Sequence, residues 1–124
     1  MPDAKYLVLV VDDSATDRMY VSELLGNNGY DVITASDGDE AIVKARESKP
    51  CVVVMDVVMP GRSGFQVTRA LRRDPETEKI PVIIVSSKSN ETDRIWGMRQ
   101  GASDYMIKPV SPDKLLAKLQ ELTH

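Results

Sequence analysis

Short apolar runs alternate with segments of helical periodicity along the whole chain, and no other feature constrains the fold as tightly. A strand, a helix and a second strand imply a right-handed crossover between parallel neighbours. A chain built from such units implies a parallel sheet with helices on both faces. Leu7-Val8-Leu9-Val10-Val11 is apolar without alternation, as in a strand buried on both faces. Tyr30 to Ala35 reads as a second strand, more polar and so at an edge. Cys51 to Met55 and Ile80 to Val85 repeat the continuous apolar pattern, with Pro81 tolerable only near the start of its strand. Tyr105-Met106-Ile107 makes a short fifth strand.

The segments between carry the helical signals. Ser14 can cap a first helix in which Val21, Leu24 and Leu25 share a face, before Gly26 and Gly29 end it. Asp37 to Ser48 turns Ala41, Ile42 and Ala45 inward and stops before Pro50. A third helix begins near Ser63, after Met59-Pro60-Gly61, with Val67, Ala70 and Leu71 inward. Ser89 or Asn90 caps the fourth, where Ile95, Met98 and Ala102 form the expected inward stripe and Trp96 falls at its edge or outside. Pro112 suits a first helical turn, and Leu115, Leu119 and Leu122 line the last helix. The expectation is an α/β fold of five strands and five helices, one domain over residues 1–124 with no output domain attached.

Composition narrows the function classes. A net charge of −3 argues against binding nucleic acid through a broad basic surface, and Arg69, Arg72 and Arg73 on the third helix read as a solvated face. The apolar runs are too short to span a bilayer, and Met1-Pro2-Asp3-Ala4-Lys5 carries no export signal. A cytoplasmic protein without membrane contact is expected. Cys51 is the single cysteine, which excludes an internal disulfide and a thiolate metal cluster; beginning a buried strand, it reads as core.

In an open parallel sheet, ligands bind beyond the carboxyl ends of the strands, where strand order reverses. Strand one ends in Asp12-Asp13, strand three in Asp56, strand four in Ser86-Ser87-Lys88 and strand five in Lys108-Pro109. If strands one and three are neighbours, Asp12, Asp13 and Asp56 converge. Such carboxylates raise one another's pKa unless a cation lies between them, and an oxygen-rich site of this kind suits Mg²⁺. Each piece also has an ordinary reading. Asp-Asp-Ser complements a helix N-terminus, Asp56 can be a turn residue, Ser86 and Ser87 can end a strand, and Lys108-Pro109 can terminate one ahead of the cap Ser111. All of them at the ends of different strands point to a functional site.

Asp12-Asp13, Met55-Asp56 followed by Met59-Pro60 and Gly64, Ser86 and Lys108-Pro109 together resemble the receiver domain of two-component response regulators, over the whole chain. The resemblance implies a flavodoxin-like, doubly wound sheet of order 2-1-3-4-5. It implies that Asp56 accepts a phosphoryl group from a histidine kinase, and that Asp13, Asp56 and the backbone carbonyl of Val58 ligate Mg²⁺. Asp12 would act through a water on the metal, Lys108 would pair with the phosphoryl group, and Ser86 would hydrogen-bond it. Tyr105 matches an aromatic switch position, and the Lys108-Pro109 bond is expected to be cis. The protein would then be no enzyme beyond catalysing its own Mg²⁺-dependent phosphorylation and dephosphorylation. Its signal would leave through a downstream protein bound at the fourth helix, fifth strand and fifth helix, where Trp96 and Arg99 are candidate contacts.

Ser86 stands where Thr is commoner in that family and keeps the hydroxyl. Val58 is apolar where many relatives are polar, and Lys88 is basic; the resemblance implies that both flank the phosphorylated aspartate and so bear on the lifetime of that form. Other phosphate-linked readings fit less well. A phosphate-loop NTPase needs Gly-Lys-Ser/Thr after strand one, where this chain has Asp-Asp-Ser-Ala-Thr-Asp. A flavodoxin proper would meet the same acidity at its flavin phosphate. A haloacid-dehalogenase-type phosphatase resembles Asp-x-Asp, and here Val58 holds the second place. The segment from Lys88 to Ala102, with Asp104-Tyr105 and Lys108-Pro109-Val110, resembles the stand-alone regulators of type IV pilus (twitching motility) chemosensory systems. A flagellar-chemotaxis-type regulator and a phosphoryl shuttle or sink are the alternatives.

Overall fold

The structure is a computed structural model that describes residues 6–123; Met1 to Lys5, read above as carrying no export signal, lie outside the described residues. The elements are β1 (Leu7–Val11), α1 (Ala15–Gly26), β2 (Asp31–Ala35), α2 (Gly38–Ser48), β3 (Val52–Met55), α3 (Gly64–Arg73), β4 (Val82–Ser86), α4 (Glu91–Arg99), β5 (Asp104–Ile107) and α5 (Pro112–Thr123). The five strands form one parallel sheet of order β2-β1-β3-β4-β5. This is the doubly wound, flavodoxin-like order, with the reversal between β1 and β3. Among the described residues no helix is long and apolar enough to cross a membrane.

Alternate side chains of the central strands feed two cores. Leu9, Val11, Val53, Met55 and Ile84 pack under α2 and α3 on one face. Val8, Val10, Val54, Ile83 and Val85 meet Val21 and Leu25 of α1 and Leu115 and Leu119 of α5 on the other. Strands buried on both faces explain the continuous apolar runs, each such side chain contributing about 1.5–3 kcal/mol by burial. The helix starts follow their caps: the Ser14 hydroxyl accepts from Asp17 N at 3.3 Å, Asp37 from Glu40 N at 2.8 Å, and Asn90 rather than Ser89 from Asp93 N at 3.0 Å. Ser63 and Gln66 form a reciprocal capping box at α3.

The structure corrects several details. Ile80 is buried but precedes β4, its N–H turned back to the Thr77 carbonyl at 3.0 Å; Pro81, just ahead of the strand, gives its carbonyl to Val53 N at 3.0 Å. The inward face of α4 is not Ile95 and Met98, which are 46% and 39% exposed, but Gly97. A Cβ at Gly97 would stand 2.9 Å from the Tyr105 ring and 3.1 Å from Ile84 Cδ1. The helix therefore lies so close to β4 and β5 that only glycine fits, and its large apolar side chains turn outward. Ala102 is buried as expected, beyond the end of α4. Arg72 is not part of a solvated face: its guanidinium donates to the carbonyls of Glu78 and Ile80, tying down the turn before β4, while Arg69 and Arg73 stay exposed. The Cys51 thiol donates to the Leu7 carbonyl at 3.2 Å, and burial pushes its pKa up, as a packing role requires.

Candidate functional site

The parallel register sets the site. Val11 pairs with Met55, and the ladder continues one step beyond both, with Asp56 N donating to the Val11 carbonyl at 2.9 Å. Asp12 and Asp56 therefore leave adjacent strands at the same level. Asp12, Asp13 and Asp56 each offer one carboxylate oxygen, all within 4.8 Å of one another; the first and last are buried and Asp13 is exposed. Asp12 is fixed by Ser14 N, which donates to its Oδ1 at 2.9 Å, and its backbone carbonyl accepts from Arg18 Nη1 at 2.8 Å. Asp56 Oδ1 accepts from Val57 N at 2.8 Å.

Lys108, carried by the cis Lys108-Pro109 bond at the end of β5, reaches across the cluster. Its Nζ lies 2.8 Å from Asp12 Oδ2, 3.0 Å from Asp17 Oδ2 and 3.5 Å from Asp56 Oδ1. Burial disfavours the ammonium, but the bonds to Asp12 and Asp17 and the charge of Asp56 outweigh it and hold its pKa above the ordinary lysine value. Asp56 is pushed up to about 6, first by burial and then by the Asp12 charge, with Lys108 and the Val57 N–H opposing. Ser86, fully buried at the end of β4, accepts from Lys88 N at 3.1 Å. Val58 is exposed in the loop after β3.

Tyr105, the match to the aromatic switch position, is buried, its hydroxyl donating to the Lys88 carbonyl at 2.8 Å. Burial raises its pKa, with the Ser86 hydroxyl opposing. Trp96, 48% exposed, and Arg99 lie on the solvent side of α4. Asp17 was not singled out from the sequence. Three residues after the cap Ser14, it reads as a complement to the α1 dipole; counting it as a fourth carboxylate on the strand-end side of that turn was the available signal.

The raised Asp56 pKa has a stability consequence. A carboxyl whose folded pKa exceeds its unfolded value of 3.8 contributes stability at low pH that is lost as pH rises through about 6. In metal-free buffer, Asp56→Asn is expected to be more stable than the parent by about 1–2 kcal/mol near neutral pH, the gain shrinking toward zero by about pH 4. Urea unfolding across that range measures it. A gain independent of pH would mean that the ionised carboxylate carries no penalty in the fold.

An aspartate cluster at the β1–β3 reversal of a 2-1-3-4-5 sheet, with a lysine reaching over it, defines a class, and the sequence agrees with it. Residues 8–120 match the response regulator receiver domain, and the chain belongs to that family. Receiver domains take a phosphoryl group from a histidine kinase, bind Mg²⁺ at an acidic pocket and act on downstream targets as regulators. Over 109 residues the chain is 50% identical to Protein PilH of Pseudomonas aeruginosa, covering 88% of this chain and 90% of that one. The chemotaxis protein CheY4 of Vibrio cholerae superposes with a TM-score of 0.89 at 35% identity, over 96% of this chain and 99% of that one. The chain spans about half of longer relatives, such as 47% of the alkaline phosphatase synthesis transcriptional regulatory protein PhoP of Bacillus subtilis, at 39% identity.

Proposed function

We propose that this chain accepts a phosphoryl group from a histidine kinase on Asp56 and passes the signal on through a protein surface. The observation that carries the reading is the buried Asp56 carboxylate, within 4.8 Å of two further carboxylates and 3.5 Å from the Lys108 ammonium. Phosphoryl transfer asks a protein mainly for positioning and for neutralisation of spreading negative charge. The donor set fits Mg²⁺: hard oxygens, two of them buried, and more negative charge than one lysine balances. Asp13, Asp56 and the Val58 carbonyl would hold the ion, with Asp12 acting through water. When bound, Mg²⁺ supplies positive charge to the phosphoryl oxygens.

The chain's own groups do the rest. Asp56 oxygen forms a bond to phosphorus as the donor's P–N bond breaks, and the leaving imidazole keeps the electron pair. Lys108 moves from its carboxylate partners to a phosphoryl oxygen, and the Ser86 hydroxyl donates to another. Ser86 accepts from Lys88 N at 3.1 Å and the Lys88 carbonyl accepts from Tyr105 at 2.8 Å, so a shift of Ser86 pulls on the Tyr105 ring. That ring packs beneath Gly97 of α4, the residue that follows Trp96 in the chain. We assign the output to the surface of α4, β5 and α5, with Trp96 and Arg99 as contacts, and the site of action to the cytoplasm.

The pathway we favour is type IV pilus (twitching motility) control, supported by the segment from Lys88 to Ala102 and by the 50% identity to Protein PilH. The likeness to chemotaxis protein CheY4 favours a flagellar-chemotaxis-type regulator as the second reading. Radiolabelled phosphotransfer from each histidine kinase of the source cell tests both. The pilus chemosensory kinase is expected to label the chain fastest, with EDTA abolishing the label. Faster transfer from a flagellar chemotaxis kinase would select the second reading.

A further inference from the structure

Lys108 has three carboxylate neighbours, and the one it must serve is the farthest. Its Nζ is within hydrogen-bond distance of Asp12 (2.8 Å) and Asp17 (3.0 Å), whereas Asp56 Oδ1 is 3.5 Å away. An ammonium has three hydrogens to direct, and here two of them point toward α1 and the end of β1. Asp12, Asp17, Asp56 and Lys108 line one cleft of about 300 Å³, walled behind by Val10, Val85 and Val110. The ammonium therefore has room to travel between its partners.

We propose that Asp17 is a positioning residue that, together with Asp12, draws Lys108 off Asp56 and so restrains how readily the acceptor gains and holds a phosphoryl group. The proposal rests on the reading of Asp56 as acceptor. When a phosphoryl group arrives, Lys108 must leave one carboxylate. Asp12 is buried and held by Ser14 N, while the Asp17 side chain is 48% exposed and can return to water at little cost. Asp17 is thus the partner that yields, and its strength sets the ease of the exchange. The simpler role for Asp17, complementing the α1 dipole, leaves the Lys108 pair without consequence. It predicts a small loss of stability in Asp17→Asn and no change in the reaction.

The test uses the full chain with saturating Mg²⁺. Acetyl phosphate labels by the Asp56 oxygen bonding to phosphorus while the bond to the acetate oxygen breaks and acetate leaves with the pair. Asp17→Asn is expected to label about five-fold faster and to bind beryllofluoride, a phosphoryl mimic, about five-fold more tightly, the upper end for an ion pair with one exposed member. Asp17→Glu is expected to restore both to within about two-fold of the parent. The Lys108 Nζ resonance of unliganded Asp17→Asn should move toward its position in the beryllofluoride-bound parent. Unchanged or slower labelling of Asp17→Asn, beside a labelled parent, would overturn the proposal. A parent and variants that all stay unlabelled would instead overturn the assignment of Asp56.

Discussion

Asp56→Asn is expected to abolish labelling by acetyl phosphate in the presence of Mg²⁺, a loss of at least about a thousandfold, because the carboxamide oxygen is too weak a nucleophile to attack phosphorus. The substitution is nearly isosteric. The amide oxygen can keep the 2.8 Å bond from Val57 N, so the end of β3 stays in place. Loss of one charge also relieves the repulsion from Asp12 that helps raise the Asp56 pKa, so the variant folds at least as well as the parent. An unlabelled, well-folded variant isolates the chemistry. The neighbouring carboxylates are poor substitutes: Asp12 is engaged by Ser14 N and Lys108, and Asp13 is exposed at the rim. Full labelling of Asp56→Asn, detected by mass spectrometry of the intact chain, would move the acceptor to one of them and remove the basis of the proposed function.

The strands were legible because β1, β3 and β4 are buried on both faces and so read as unbroken apolar runs; their order followed only from the resemblance to receiver domains. The carboxylates and Lys108 were legible for a related reason: parallel strands end on one side, so the residues after each strand converge whatever the helices do. Reading failed where packing depends on what a residue lacks. Periodicity assigns Ile95 and Met98 to the inward face of α4, but the helix is drawn onto Tyr105 and Ile84 through Gly97, a residue with no hydropathy to report. It failed again where one side chain has two roles. Asp17 looks like a helix-start acid, and its bond to Lys108 joins residues 91 positions apart. Arg72 looks like surface charge, and its carbonyl partners lie in a turn that carries no motif.

Gly64→Ala is expected to destabilise the fold by about 3–5 kcal/mol, at the high end for adding a single methyl group. Gly64 opens α3 directly above Asp56. Its N–H donates to the Val57 carbonyl at 2.9 Å, and its own carbonyl accepts from the buried Thr68 hydroxyl at 2.8 Å. A Cβ here would stand 2.0 Å from the Asp56 carbonyl oxygen and 2.9 Å from both Asp56 C and Val57 Cα. All three are backbone atoms, so no flexible side chain can swing aside. Either α3 moves outward, opening the packing of Val67 and Leu71 on the sheet, or the Asp56–Val57 peptide shifts. The second response displaces Asp56, the proposed acceptor, and a misplacement of about 1 Å can cost about a hundredfold in rate. Both stability, from urea unfolding, and acetyl phosphate labelling should therefore fall together. Gly26→Ala is the control. Gly26 ends α1 with nothing within 4 Å of a new Cβ, so that variant should match the parent or gain up to about 1 kcal/mol. If Gly64→Ala stays within about 0.5 kcal/mol of the parent, the range of an ordinary surface substitution, the close approach of α3 to the Asp56 backbone does not constrain the site.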